Sequence, residues 1–310
     1  IDVRLSTMPM VHGESVVMRL LDHSQGLLEL GKLGIPEEIL TPLYQLIQKP
    51  HGLLLVTGPT GSGKTTTLYA ALNEINSAKS KIITAEDPVE YQLPRINQVQ
   101  VHEKIGLTFP SVLRTALRQD PDVILIGEMR DQETVEIGLR AAMTGHLVFS
   151  TLHTNDAIST IDRLLDMGAE SFLVASALQA ILAQRLVRQL CPDCRQVHEL
   201  DPSDMFWLKQ MLGTENPLPE FYQAVGCHLC NETGYKGRTG VYEILVITPD
   251  LATAMQQGDR SLFKELALQK QHSKTLSFNA IALAQQGITT LEEVLRIAGD
   301  IDITPPEHVA

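Results

Sequence analysis

One stretch constrains this 310-residue chain more than any other: Gly58-Pro59-Thr60-Gly61-Ser62-Gly63-Lys64-Thr65. It follows an apolar run, Leu53-Leu54-Leu55-Val56, and precedes a helix-like run, Thr66-Thr67-Leu68-Tyr69-Ala70-Ala71-Leu72. Strand, glycine-rich loop and helix in that order make a cradle for phosphate. The glycines let the backbone curl until successive N–H groups face one anion. The start of the following helix adds partial positive charge. The cradle is then Gly58, Pro59, Thr60, Gly61, Ser62, Gly63, Lys64, Thr65 and Thr66. Lys64 meets the β- and γ-phosphates of a nucleotide, and the Thr65 hydroxyl binds Mg²⁺.

The rest of the chain supplies the expected frame. Short apolar runs at Lys81-Ile82-Ile83-Thr84, Val123-Ile124-Leu125-Ile126 and Leu147-Val148-Phe149-Ser150 alternate with helical patterns. That alternation predicts an α/β fold with a mostly parallel sheet covered on both faces. Ahead of it, Ile1–Ser6 and Glu14–Leu21 read as two strands joined at His12-Gly13. Pro36–Gln48 reads as an amphipathic helix with Ile39, Leu43, Leu46 and Ile47 on one face. The chain opens on Ile1-Asp2-Val3-Arg4, without Met and already strand-like, so a piece of a longer chain is expected. After Glu170 the pattern predicts a long helix to about Leu190. One strand, Val241–Ile247, several helices and a loose tail over 300–310 complete the reading. The expected division is 1–48, an N-terminal subdomain piece with linker; 49–190, the nucleotide-binding core; 191–236, a cysteine segment; and 237–310, a C-terminal strand and helical region.

Three further segments sit where strands end, which is where open α/β sheets bind ligands. Gly127 and Glu128 close an apolar strand with an acid that can polarise an attacking water or reach Mg²⁺ through water. Glu86, Asp87 and Glu90 cluster after another strand, as carboxylates for water-bridged Mg²⁺ contacts or a second acid near the γ-phosphate; Asp87-Pro88 can equally open a turn. His146 and His153 bracket a third strand, and His153, at its C-terminal end, is a candidate γ-phosphate sensor.

Cys191-Pro192-Asp193-Cys194 and Cys227-His228-Leu229-Cys230 are two CxxC knuckles that use all four cysteines. Both thiolates of a knuckle can bind one face of a tetrahedral ion, so Cys191, Cys194, Cys227 and Cys230 predict a structural zinc site with no open position.

Taken together, these motifs in this order resemble the type II secretion and type IV pilus assembly ATPase family, over most of residues 1–300. The resemblance rests on the P-loop, the acid box Glu86–Glu90, the Gly127-Glu128 variant of Walker B with Met129-Arg130-Asp131, and the histidine box. It implies a RecA-like P-loop core, a truncated α+β, PAS-like N-terminal subdomain, and Mg²⁺-dependent hydrolysis of ATP by a homo-hexamer. It implies a cytoplasmic motor at the inner membrane, peripheral through a platform protein that it drives in pilus or pseudopilus assembly. The tetracysteine insert points to the assembly or secretion branch. It also gives Arg4 and Arg19, in Val3-Arg4-Leu5 and Met18-Arg19-Leu20, the role of reaching the nucleotide phosphates. Such an arginine can raise the rate ~10³–10⁵-fold. Arg130, Arg114 and Arg118 are weaker candidates that equally suit ion pairs between subunits.

Composition bears on the rivals. With 25 Lys and Arg against 37 Asp and Glu, the chain carries a net charge of −12. That weighs against a nucleic-acid translocating or conjugation-type motor, as does the lack of a basic-aromatic stripe. Intact Lys64, Thr65 and Glu128 weigh against a scaffold that binds nucleotide without hydrolysing it. No apolar run approaches the ~18 residues of a membrane-spanning helix, and no signal peptide stands out.

Overall fold

A computed structural model of the chain describes residues 2–21, 29–214, 216–271 and 274–299. In chain order, β1 (Asp2–Met10) and β2 (Gly13–Leu21) come first, followed by α1 (Glu37–Ile47), β3 (Gly52–Thr57) and α2 (Lys64–Ile75). Next are β4 (Ile82–Glu86), β5 (Asn97–Gln100), α3 (Phe109–Ala116), β6 (Val123–Ile126), α4 (Gln132–Met143) and β7 (Leu147–Leu152). Then come α5 (Ser159–Asp166), α6 (Ser171–Ala177), β8 (Leu178–Leu190), β9 (Gln196–His198), α7 (Pro202–Leu212) and β10 (Phe221–Gln223). The last are β11 (Tyr235–Val246), α8 (Pro249–Gln256), α9 (Arg260–Gln271), α10 (Leu276–Gln285) and α11 (Leu291–Gly299).

Seven strands form the central sheet in the spatial order β11-β8-β3-β7-β6-β4-β5. Every neighbouring pair is parallel except β8 and β11. The expected parallel α/β sheet is therefore present, with one antiparallel edge strand. Helices α1 and α2 cover one face, where they bury Leu43, Ile47, Leu68 and Leu72 against Leu54, Val56, Leu125 and Phe149. Helices α3 to α6 and α8 to α11 cover the other, on Leu55, Ile124, Val148 and Ile181. Strands β3, β6 and β7 are buried along their whole length. Burial on both faces explains why they read as continuous apolar runs rather than alternating ones.

Two expectations are corrected. The long helix after Glu170 stops at Ala177, and Leu178–Leu190 is strand β8, lying parallel beside β3. The strand expected at Val241–Ile247 begins earlier, at Tyr235, because it pairs with β8 up to Leu190. At the N-terminus, β1 and β2 form their own two-stranded antiparallel sheet with Arg4 directly opposite Arg19. The tail over 300–310 lies outside the described residues.

The topology decides where chemistry can happen. Because β3, β4, β6 and β7 are parallel, their C-terminal ends share one edge of the sheet. The P-loop leaves β3 there, Asp87 leaves β4, Glu128 follows β6 and His153 follows β7. Strand β8 does not stop at that edge: its pairing with β3 ends at Thr57↔Ala183, and it runs on past the P-loop to Leu190 beside β11.

Candidate nucleotide site and tetracysteine centre

The P-loop has the geometry its glycines predict. Gly58, Gly61 and Gly63 all have positive φ, which residues with a Cβ rarely adopt. A Cβ on Gly58 would also run into the Gln184 carbonyl of β8. Helix α2 starts at Lys64 with Gly63 as its N-cap, so its first N–H groups point into the loop. Thr65, the second residue of that helix, is exposed. Lys64 is buried and folds back, its ammonium donating to the Gly58 and Pro59 carbonyls at 2.7 and 3.1 Å. Burial, aided by the nearby Arg185 and opposed by Glu128, lowers its pKa to about 8. A bound phosphate would replace those carbonyls and hold the charge in place.

Glu128 lies beside this loop at 18% side-chain exposure. One oxygen accepts from the Arg130 guanidinium, and the other lies 3.4 Å from His153 Nε2. Arg130 also reaches Asp87 at 3.5 Å. Its hydrogen bond to Glu128 holds the guanidinium pKa above its usual value. His153 is pushed below the usual histidine range by burial and by Lys64, with Glu128 opposing. The imidazole is then largely neutral near pH 7 and can share a proton with the carboxylate. The segment carrying it is tied to the P-loop strand: Thr154 N–H donates to Thr57 Oγ1 at 3.0 Å. The loop after β6 is likewise tied to β7 by Thr151 Oγ1 donating to the Gly127 carbonyl at 2.7 Å.

The structure thus brings together Lys64, Thr65, Glu128, Asp87, Arg130 and His153 at one sheet edge. Other candidates fall elsewhere. Glu86 is the last residue of β4 and is 4% exposed. Its carboxylate accepts from Tyr69 of α2, from Thr84 Oγ1 and from Gln98 Nε2, so it braces the P-loop helix from inside. Glu90 lies on the loop beyond, its N–H 3.4 Å from Tyr69 Oη. His146 precedes β7, at the opposite end of the sheet, and bonds the Ala141 carbonyl at 3.0 Å. Arg114 pairs with Glu133 of its own chain, and Arg118 caps the Arg114 carbonyl. Arg4 and Arg19 occupy one register position of the β1–β2 hairpin; their side chains lie outside what is described.

Residues the sequence did not flag also shape the site. Gln184 and Arg185 of β8 are 1% and 5% exposed. Gln184 Nε2 donates to the Ser62 carbonyl at 2.6 Å, and Arg185 Nη2 donates to Asn155, at 3.2 Å to its carbonyl and 3.1 Å to Oδ1. Glu243 of β11 is 2% exposed and accepts from Ala157 N–H, Gln271 Nε2 and Leu276 N–H at 3.1, 3.1 and 2.8 Å. It joins the chain just past His153 to α9 and α10. Burial lifts its pKa from 4.5 to about 7, against those donors and with help from Asp156. The folded state therefore keeps a proton that the unfolded chain has already lost, so stability falls as pH rises from 4.5 to about 7. Glu243→Gln is expected to flatten that part of the pH–stability curve, as read by urea denaturation at several pH values. An unchanged slope would remove Glu243 as its source.

The four cysteines form the second centre. All four sulfurs lie within 4.8 Å of one another. Cys191–Cys227 and Cys194–Cys230 are 3.9 Å apart, and Cys227–Cys230 is 3.8 Å. A tetrahedral ion at about 2.3 Å from each sulfur requires S–S separations of about 3.8 Å, so the set fits zinc. The N–H groups of Cys227 and Gly234, each 3.2 Å from Cys230 Sγ, favour a thiolate there. Burial alone would raise that thiol, but these N–H groups and the hydrogen bonds with the Cys227 and Cys194 thiols together lower it to about 6.

Residues 1–296 match the family model described as type II/IV secretion system protein. The chain is 50% identical over 300 residues to type II secretion system protein HxcR of Pseudomonas aeruginosa, covering 97% of this chain and 60% of that one. It is 47% identical over 298 residues to the type IV pilus assembly ATPase PilB of Myxococcus xanthus, covering 95% and 52%. It spans about three-fifths or less of the length of these curated relatives. Among solved structures, the pilus retraction motor PilT with bound ADP superposes with a TM-score of 0.69 at 32% identity, over 95% of this chain and 73% of that one. The chain belongs to the type II/IV secretion system protein family.

Proposed function

We propose that this chain is the catalytic part of an ATPase motor that powers assembly of type IV pili or type II secretion pseudopili. The observation that carries the proposal is the meeting of Lys64, Glu128 and His153 at the P-loop edge of the sheet, with His153 3.4 Å from Glu128. The P-loop N–H groups and Lys64 hold the phosphates. Glu128 orients a water for in-line attack on the γ-phosphorus and accepts its proton as the P–O bond forms and the bond to the leaving diphosphate breaks. His153, neutral and bonded to Glu128, reports whether the γ-phosphate is present. Mg²⁺ at the Thr65 hydroxyl supplies charge neutralisation when bound; a hydroxyl with carboxylates close by is the hard oxygen set that ion takes. Arg4 and Arg19, on a separate hairpin, are the proposed phosphate clamps that close onto the site. Zinc in the tetracysteine centre is structural.

The motor is proposed to work as a homo-hexamer on the cytoplasmic side of the inner membrane, docked on a platform protein. Among the described residues no helix is long and apolar enough to cross a membrane. The deciding experiment measures phosphate release from ATP with and without Mg²⁺, alongside sedimentation with and without nucleotide. Mg²⁺-dependent turnover and a nucleotide-promoted larger species are expected. ATP binding without turnover in any assembly state would overturn the motor assignment.

A further inference from the structure

A P-loop binds phosphate only while its N–H groups face inward. Each trans peptide holds its carbonyl and its N–H in one plane, pointing in opposite directions, so inward N–H groups demand outward carbonyls. An outward carbonyl buried against protein needs a donor. The Ser62–Gly63 peptide is such a case. Ser62 is 3% exposed, and its carbonyl points at β8, where the Gln184 side chain donates to it at 2.6 Å.

We propose that Gln184 is a positioning residue for phosphate binding: by holding the Ser62 carbonyl outward, it aims the Gly63 N–H into the cradle. This rests on the nucleotide-binding reading of the P-loop. Three observations support it. Gln184 is itself 1% exposed, and its Oε1 is buried without a hydrogen-bond partner. A buried amide with one end unsatisfied is costly, so its other end has a use that outweighs that cost. Its donor end is fixed too, because a carbonyl can accept only from the amide nitrogen. Finally, the loop is moulded to this residue. Gly58 lies against the Gln184 carbonyl, and a Cβ on Gly63 would sit 3.1 Å from Gln184 Nε2. The next residue, Arg185, holds Asn155 two residues after His153. Consecutive side chains of β8, pointing to opposite faces as strand geometry requires, thus grip the P-loop on one side and the His153 loop on the other.

The test uses Gln184→Met and Gln184→Glu in this chain, with a fluorescent ADP analogue as probe at pH 5.5 and pH 8. Wild-type protein must bind the probe; if it does not, the nucleotide-binding reading itself fails. Given wild-type binding, Gln184→Met is expected to weaken affinity about tenfold at both pH values while the melting temperature shows the fold intact. Gln184→Glu removes the donor at pH 8, where the introduced carboxylate faces a carbonyl, and should lose more than tenfold. At pH 5.5 the introduced group, its pKa raised by burial, is protonated and donates again, so affinity should recover toward wild type. A structural role alone would not produce recovery at the pH where the variant regains a donor. If Gln184→Met melts, the pH-dependent recovery of Gln184→Glu still decides. Wild-type affinity in both variants, or a Gln184→Glu loss that does not depend on pH, overturns the proposal.

Discussion

Glu128→Gln is expected to lower turnover of ATP by about 10²–10⁴-fold, the usual worth of a positioned general base, and to change nucleotide affinity by less than about threefold. The reason lies in what the amide keeps and what it loses. It keeps the size of a side chain that is 18% exposed and an oxygen that can still accept from Arg130. It loses the charge that polarises water. Because Lys64 and the P-loop N–H groups do not depend on Glu128 for their geometry, binding persists. Lys64 also loses its nearest opposing charge, so its pKa, already lowered to about 8, falls further, and nucleotide affinity of the variant should decline earlier as pH rises. Single-turnover hydrolysis with protein in excess, paired with titration of a fluorescent ADP analogue, separates the two effects. Turnover within threefold of wild type would exclude Glu128 as the group that activates water.

What the sequence revealed of this site follows from how local each signal is. The P-loop was legible because glycines with positive φ, a lysine and a threonine must occur in fixed order. The strands β4, β6 and β7 were legible as short apolar runs, and parallel pairing then put Asp87, Glu128 and His153 at one edge. Strand β8 was not. All of its residues but Arg188 are buried or half-buried, and its apolar positions Leu178, Ile181, Leu182 and Leu186 also fit a helical spacing. Periodicity cannot separate a strand buried on both faces from a buried helix, and a run of this length favoured the helix. With β8 misassigned, Gln184 and Arg185 had no reason to be near the P-loop. Glu243 was hidden in a different way: its three donors come from segments far apart in sequence, so only the fold assembles them. Glu86 shows the converse. The acid box was legible as a cluster, but which of its members turns inward is decided by Tyr69 and Gln98, both distant in the chain.

Removing zinc is expected to unfold the segment from Cys191 to Gly234 while the nucleotide site survives. Structural zinc contributes about 10–16 kcal/mol of apparent binding free energy in small domains, far more than the local packing here can replace. The segment holds two short strands, β9 and β10, and one helix, α7, that buries only Leu208 and Met211. Phe221 of β10 joins Leu208 and Met211 in the main core, and Arg195 ties the segment to the rest by donating to the Gly287 carbonyl at 2.5 Å. Within the segment, Arg195 stacks over Tyr222 and Cys191 N–H donates to the Gly234 carbonyl at 2.9 Å. The damage should stop along β8. Arg188, two residues before its end, bonds Glu293 of α11 through its backbone N–H and through Nε, each at 2.9 Å, and Glu293 also accepts from Arg296. That brace lies between the metal centre and Gln184. Hydrogen exchange read by mass spectrometry after chelation should show protection lost over 191–234 and over the α10–α11 turn that Arg195 touches. Protection should be retained in β3, β6 and β7. Affinity for a fluorescent ADP analogue should move by less than about threefold, and Cys230→Ser should reproduce the pattern without a chelator. Unchanged exchange over 191–234 in demonstrably zinc-free protein would rule out a structural metal there, and a parallel loss of ADP affinity would mean that β8 transmits the collapse to the P-loop despite the Arg188–Glu293 brace.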